Sequence, residues 1–397
     1  MVNNYYLVLL LAYMISVFMD FRPAVLMLGY NILLLVLRLS QNCRSIKLGV
    51  MQLFSLWCML SVLIGVCCGV RLATTISSYI YVATPMFLSF SSENFFVSKD
   101  RFFKATLIAI VLNNLFGTIC FYLKPAFFVE FIHRTSQSSY AQLMHHAGFG
   151  RLVTIFGSIE TAILSGFGVL ISLGVLINRK SRFCVFSLLV CFATLILTQQ
   201  RGPLFALILI FIIIGIYLRK QKLIKTRFLF LIIVVAAVTL GVLYVYKPTV
   251  FYWEIERILN PSDAVNERFD YQWDVLVNNL SVIQWVTGKG IGAFGFFVDI
   301  SNRLTRIFDQ MYFNIEGELG LVGLIILATI FIKCIKSFSH DERYYFTSFF
   351  IVFMFFFGGL GTTLTYYPQI TAIVWFSVGF LLNNKDVSVN DCIYANV

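Results

Sequence analysis

The sequence predicts an all-α polytopic integral membrane protein, and three observations predict it. Hydrophobic residues make up 59% of the chain and charged residues only 12%. The mean hydropathy is +0.86. The apolar residues also gather into separate runs of about 16 to 22 residues, long enough as helices to cross roughly 30 Å of hydrocarbon. A water-soluble domain of 397 residues does not carry so much apolar surface with so few charges.

Twelve runs follow from this criterion, near 5–19, 24–38, 48–69, 76–92, 105–123, 158–177, 183–197, 203–218, 228–246, 317–332, 346–361 and 370–382. The first follows Met1-Val2-Asn3-Asn4-Tyr5-Tyr6, which lacks a basic region, and no small-x-small cleavage site comes after it, so it is expected to stay as a signal anchor. Alternate connections then carry Arg38, Arg44 and Lys47; Lys99, Arg101 and Lys104; Arg179, Lys180 and Arg182; Arg219, Lys220, Lys222, Lys225 and Arg227; and Lys333, Lys336, Arg343 and Lys385. These are 18 of the 30 basic residues, and the positive-inside rule assigns them to the cytoplasm together with both termini.

Of the other twelve, only Arg22, Arg71 and Arg201 occupy short outer turns; nine lie in two long outer segments, 124–157 and 247–316. The net charge of +11 is therefore a topology signal and gives no ground for a nucleic-acid partner. The chain divides into a membrane unit of nine helices over 1–246 that includes the outer loop 124–157, a large outer loop over 247–316, and a closing unit of three helices and a cytoplasmic tail over 317–397. Cys58, Cys67, Cys68, Cys120, Cys184 and Cys191 lie in apolar runs and the other cysteines on the cytoplasmic side, a distribution without a disulfide framework.

Several function classes are excluded. There is no GxxxxGK[ST] loop, and Gly288-Lys289-Gly290-Ile291-Gly292 lies on the outer side without a surrounding dinucleotide-binding unit. A paired D-x-D for a nucleotide sugar is missing, and charges within the spans are few, unlike an ion relay. His133, His145, His146 and Glu130 have no common ligand spacing, so no metal is expected there. Chemistry is expected at the outer interface.

Polar residues collect in the large outer loop. From Lys247 to Glu318 it carries ten of the nineteen acids, among them Asp263, Glu267, Asp270, Asp309, Glu316 and Glu318, beside Arg257, Arg268, Lys289, Arg303 and Arg306 and many aromatic residues. Phe269, Trp273, Leu276, Leu280 and Ile283 recur at steps of four and three, the apolar face of a helix with Asp263 as its cap. This predicts a folded loop domain lying partly on the membrane. Aromatic faces beside carboxylates and arginines suit sugar rings and phosphate; the same residues would also form an aromatic belt at the headgroups.

Arg201 stands out within Thr198-Gln199-Gln200-Arg201-Gly202-Pro203, because a short outer turn should avoid positive charge. Pro203 suits the first turn of the next helix, whose unpaired N–H groups and positive dipole end face outward. A guanidinium beside them adds a fixed charge with bidentate reach, which makes an anion site. The competing role is an interfacial anchor reaching lipid phosphate.

The region 151–323 resembles the polysaccharide polymerase and ligase superfamily that includes O-antigen polymerase (Wzy) and O-antigen ligase. Family members show an arginine followed by Phe and an Asn-Pro-Asn turn; here Arg151 to Glu160 occupies that place with a different turn. Gln200-Arg201-Gly202 matches a Ser-Arg-Gly with Gln for Ser. Arg268 lies five residues before Trp273, as an arginine and a tryptophan do at the start of the family's loop helix, and Gly288 to Phe294 matches its glycine-rich turn. Asp309-Gln310-Met311-Tyr312 replaces His-Asn-x-Tyr, nine residues before the Glu of Glu318-Leu319-Gly320-Leu321-Val322-Gly323.

The resemblance implies a GT-C-like membrane glycosyltransferase of the bacterial inner membrane, with its active site in the periplasm. It would extend a glycan carried on undecaprenyl pyrophosphate in lipopolysaccharide biosynthesis, without nucleotide, metal or other cofactor. Membrane lipids and a chain-length regulator are the further partners it implies. Arg201 and Arg268 would stabilise the departing pyrophosphate, and Asp309 would accept the acceptor hydroxyl's proton. Arg151, Trp273, Tyr312 and Arg306 would bind substrate. Other roles remain open at each: a loop salt bridge to Asp270 or Glu267 for Arg268, a membrane-end anchor for Arg151, and pairing with Arg306 for Asp309. Glu316 and Glu318 are also explained as acids near a helix N-terminus. An O-antigen ligase and a lipid-linked oligosaccharide flippase are the alternative functions.

Overall fold

The computed structural model describes residues 4–19, 29–30, 33, 49–86, 99–144, 151–177, 181–220, 262–295, 310–337 and 343–383, with the backbone alone at 84, 99, 137–138, 201, 216–220, 262–268, 343–345 and 383. Among the described residues there are fourteen α-helices, a 3-10 turn at Thr84–Met86, and no strand beyond an isolated bridge between Thr154 and Gly157. Four helices are long and apolar enough by themselves to cross a membrane: Val50–Cys67, Asp100–Leu123, Ser158–Leu176 and Met311–Lys336. Six shorter apolar helices accompany them. The protein is an all-α polytopic membrane protein.

In chain order the helices are α1 (Tyr5–Phe18), α2 (Val50–Cys67), α3 (Leu72–Ala83), α4 (Lys99–Leu123), α5 (Ala126–Thr135), α6 (Gln137–Met144) and α7 (Ser158–Leu176). They continue as α8 (Arg182–Leu197), α9 (Arg201–Lys220), α10 (Ser262–Asn279), α11 (Val282–Thr287), α12 (Met311–Lys336), α13 (Arg343–Gly358) and α14 (Pro368–Asn383). Nine of the expected runs coincide with a helix, and a tenth, 76–92, does so only as far as Ala83, with a 3-10 turn to Met86 and the rest outside the described residues. Of the other two, 228–246 lies outside the described residues, and 24–38 does so except at 29–30 and 33. Helices overrun the apolar runs: α4 begins at Lys99, and α12 extends from Met311 to Lys336 with a break at Gly320. Hydropathy marks the hydrocarbon layer, whereas backbone hydrogen bonding continues beyond it.

α7 is the axis of the bundle. In the apolar window of α7, 78% of the residues are buried by protein, against 28% for α2. Small residues make this possible. A Cβ on Gly168 would lie 2.6 Å from Cys191 Sγ of α8, and one on Gly166 would lie 2.1 Å from the Met354 methyl of α13, so the backbones approach as they do where small residues line membrane helix interfaces. Asn114 of α4 adds interhelical hydrogen bonds, donating to Ser165 Oγ at 3.0 Å and reaching Cys191 Sγ at 3.7 Å.

The segment 124–157 contains two helices that the apolar runs did not reveal. α5 buries Phe128, Phe131 and Ile132, spaced three and one apart on a single face, which suits a helix lying on the bundle rather than crossing it. The expected single helix through Ile283 is corrected. α10 ends at Asn279, and Ser281 starts α11 with a reciprocal cap in which its hydroxyl accepts from the Gln284 N–H and the Gln284 side chain accepts from the Ser281 N–H. Leu276 and Leu280 are buried, but Phe269, Trp273 and Ile283 are 48%, 46% and 75% exposed. A capping serine outweighed the continued apolar spacing. Asp263 falls inside the first turn of α10, not ahead of it.

Candidate functional site

The glycine-rich turn and the Glu318 motif, far apart in sequence, close on one another. α11 ends at Gly288, and the chain turns through Gly290 at φ +101° and Gly292 at φ +87°. α12 is broken at Gly320, where φ is 65° and ψ −173°, so carbonyls just before the break lose their helical partners. Gly317 O accepts from Lys289 N at 2.8 Å and Glu318 O from Gly290 N at 3.1 Å. Leu319 O accepts from Trp57 Nε1 of α2 at 2.9 Å. Ser61, also on α2, donates to Glu318 O at 3.0 Å and accepts from Ile291 N at 2.8 Å.

Only a residue without Cβ fits at two of these positions. A Cβ on Gly290 would lie 2.1 Å from Gly65 Cα, and one on Gly320 would lie 2.4 Å from the Val286 carbonyl oxygen. Both also have φ in the left-handed region, which glycine enters at no steric cost.

Glu318 is the centre of this arrangement. Only 2% of it is exposed, and its Oε1 accepts from Gly292 N at 3.1 Å and Phe294 N at 3.2 Å. The Tyr366 hydroxyl, 2.8 and 2.6 Å from the two carboxylate oxygens, donates to it. Burial and the adjacent carboxylate push the Tyr366 hydroxyl well above its ordinary pKa, so it remains a donor. Beyond its place near a helix N-terminus, Glu318 is held by three named donors.

A second assembly lies around Arg151 and the start of α9. Arg151 N donates to Gln142 O at 3.2 Å, and Leu152 N to Leu197 O, the last residue of α8, at 3.0 Å. The turn to α9 passes through Gln199 at φ 54°, and Gln200 Nε2 donates to Ser158 Oγ at 3.2 Å. Arg201 is the first residue of α9. The backbone thus gathers the Arg151 segment and the Arg201 turn beside the N-terminus of α7. Within that first turn of α7, Glu160 Oε1 accepts from Gln369 Nε2 at 3.4 Å.

One short stretch joins the two assemblies. Tyr366 reaches Glu318, and Gln369, three residues later in the first turn of α14, reaches Glu160. Neither Tyr366, Gln369 nor the clamp on Glu318 was evident from sequence. The available signals were carboxylates at the ends of apolar helices and a Tyr-Tyr-Pro turn opening a span.

The remaining expected residues are placed as follows. Trp273 is on α10, its ring centroid 5.6 Å from Trp285 and 6.3 Å from Phe313. Tyr312 donates to Phe356 O at 2.6 Å, tying α12 to α13. The backbone of Arg268 lies in α10, five residues before Trp273. Arg306 and Asp309 lie outside the described residues; Gln310, next to Asp309, donates its N–H to Gln272 Oε1 at 3.2 Å. His133 packs edge-on against Tyr140 at 4.6 Å, and His145 and His146 lie outside the described residues.

Among curated proteins none matches the chain. Residues 186–328 match the Wzy_C family model, described as O-antigen ligase. The matched stretch contains Arg201, Arg268, Trp273, the glycine turn, Asp309 and Glu318, while Arg151, Glu160, Tyr366 and Gln369 lie outside it. Over residues 186–328, roughly the middle third of the chain, this protein is thus similar to the O-antigen ligase family.

Proposed function

We propose that this protein is an O-antigen polymerase of a bacterial inner membrane. It transfers the growing glycan from undecaprenyl pyrophosphate to a sugar hydroxyl of the next lipid-linked repeat unit, on the periplasmic side. Superfamily members are membrane glycosyltransferase-like enzymes. The observation that carries the finer reading is the ordered set Arg201, Arg268 and Trp273, Gly288 to Phe294, and Asp309 to Gly323, with an aspartate where the ligases have histidine.

The donor's anomeric carbon already bears phosphate, so nucleotide and metal have no required part. As the acceptor oxygen bonds to that carbon and the carbon–phosphate oxygen bond breaks, negative charge grows on the departing pyrophosphate. Arg201 and Arg268 stabilise that charge, fixed donors being worth most where water is scarce. Arg151 holds the same lipid-linked phosphate, and Asp309 takes the proton of the attacking hydroxyl. Trp273, Tyr312 and Arg306 contact the glycan, and a chain-length regulator is the partner that such processive growth calls for.

A ligase that delivers the glycan to a lipid A-core acceptor is the second reading, favoured by the description of the matching family. Deleting the gene and resolving lipopolysaccharide on a gel separates the readings. A core bearing a single repeat supports the polymerase. A bare core with accumulated polymer on its lipid carrier would establish the ligase, and loss of outer-leaflet repeat units would establish a flippase.

A further inference from the structure

The mechanism above leaves Glu160 and Gln369 without a task. Glu160 is half-buried in the first turn of α7, and Tyr13 of α1 lies within electrostatic reach of its carboxylate. Gln369 is 3% exposed, and its amide is aimed at Glu160, with Nε2 bonded to the carboxylate and the buried Oε1 left without a hydrogen-bond partner. A buried amide oxygen with no donor is costly unless something supplies one. Gln200, the residue before Arg201, is tied to Ser158, two positions and about 3 Å of helix rise from Glu160. A carboxylate and an amide oxygen, both acceptors, therefore converge beside the turn that carries the proposed pyrophosphate-binding arginine.

We infer that Glu160 and Gln369 form a carbohydrate subsite that accepts hydrogen bonds from hydroxyls of the incoming acceptor sugar and orients it. The inference rests on the proposed polymerase reading and adds to it where the acceptor sits. Two oxygens of this kind suit a polyol, whose neighbouring O–H groups donate to both. Glu160 is only partly buried, and the buried Gln369 fixes the geometry. Both are positioning residues in this scheme; the proton and the leaving group are handled elsewhere.

The test uses the full-length protein in detergent with undecaprenyl-pyrophosphate repeat unit extracted from the deletion strain, following the first condensation to a two-repeat product. Glu160→Gln keeps a side chain able to cap α7 and removes the charge; Gln369→Leu removes the amide. Each should raise KM for the repeat unit about 3- to 10-fold, and Glu160→Ala about 10- to 100-fold, with kcat changed less than about 3-fold, as loss of neutral and charge-assisted hydrogen bonds predicts. Thermal unfolding shows whether each variant is folded, and Glu160→Gln carries the test if Glu160→Ala is not. Unchanged KM in folded Glu160→Gln and Gln369→Leu would overturn the subsite while leaving the polymerase reading intact, as would a fall in kcat alone. A wild-type protein that cannot join two repeat units would overturn both.

Discussion

Replacing Glu318 tests the central packing argument. Glu318→Ala leaves the buried N–H groups of Gly292 and Phe294 without the carboxylate that accepts from them, and removes the group to which the Tyr366 hydroxyl donates. At about 1–3 kcal/mol for each of the two unsatisfied N–H groups, the loss is roughly 2–6 kcal/mol, a large share of the 5–15 kcal/mol typical of a whole protein's stability. Glu318→Gln keeps an oxygen for the two N–H groups and turns charge-assisted bonds into neutral ones, at roughly 1 kcal/mol per bond. Tyr366→Phe removes one buried hydrogen bond to this carboxyl group, about 0.5–1.5 kcal/mol. Thermal unfolding in detergent, followed by fluorescence-detected size exclusion, should rank wild type above Tyr366→Phe and Glu318→Gln, and those above Glu318→Ala, which should be recovered poorly. The double variant Glu318→Gln with Tyr366→Phe should lose less than the sum of the two singles, because they share one hydrogen bond. A Glu318→Ala protein as stable as wild type would refute the view that this carboxylate holds the glycine turn.

Three further outcomes are expected. Arg201→Ala and Arg268→Ala should each abolish or severely shorten the polymer on lipopolysaccharide gels at unchanged protein level, with Arg→Lys rescuing in part because a point charge lacks the bidentate fork; full-length polymer in both alanine variants would remove the arginines from the mechanism. Asp309→Asn should bind lipid-linked substrate yet cut chains to one or two repeats, a general base being worth about 10² to 10⁴ in rate. Near-normal chains would instead fit an exposed pair with Arg306, worth roughly 0–1 kcal/mol. Cysteines introduced near Ser262 and Gln137 should react with an impermeant reagent from the periplasm while those near Lys222 and Ser339 should not, and labelling at Lys222 would reverse the assigned topology.

The sequence by itself determined the class and the approximate positions of the helices, because hydrocarbon admits little besides apolar residues and self-satisfied backbone. It also marked Arg201, whose charge runs against the bias of its turn, and the two motif segments around Gly290 and Glu318. It did not show that those segments meet, since the contact depends on a break at Gly320 and on close approach to Gly65 from another helix. Glu318 illustrates the difference. Local sequence explains it as an acid near a helix start, whereas its partners come from residues 292, 294 and 366. The same holds for Glu160 and Gln369, 209 positions apart. Composition reports each residue's preference for water or lipid, and periodicity reports which face of its own helix it occupies. Which buried donors find which acceptors is settled only when the helices pack, because the penalty for an unpaired polar group inside the bundle falls on the whole arrangement.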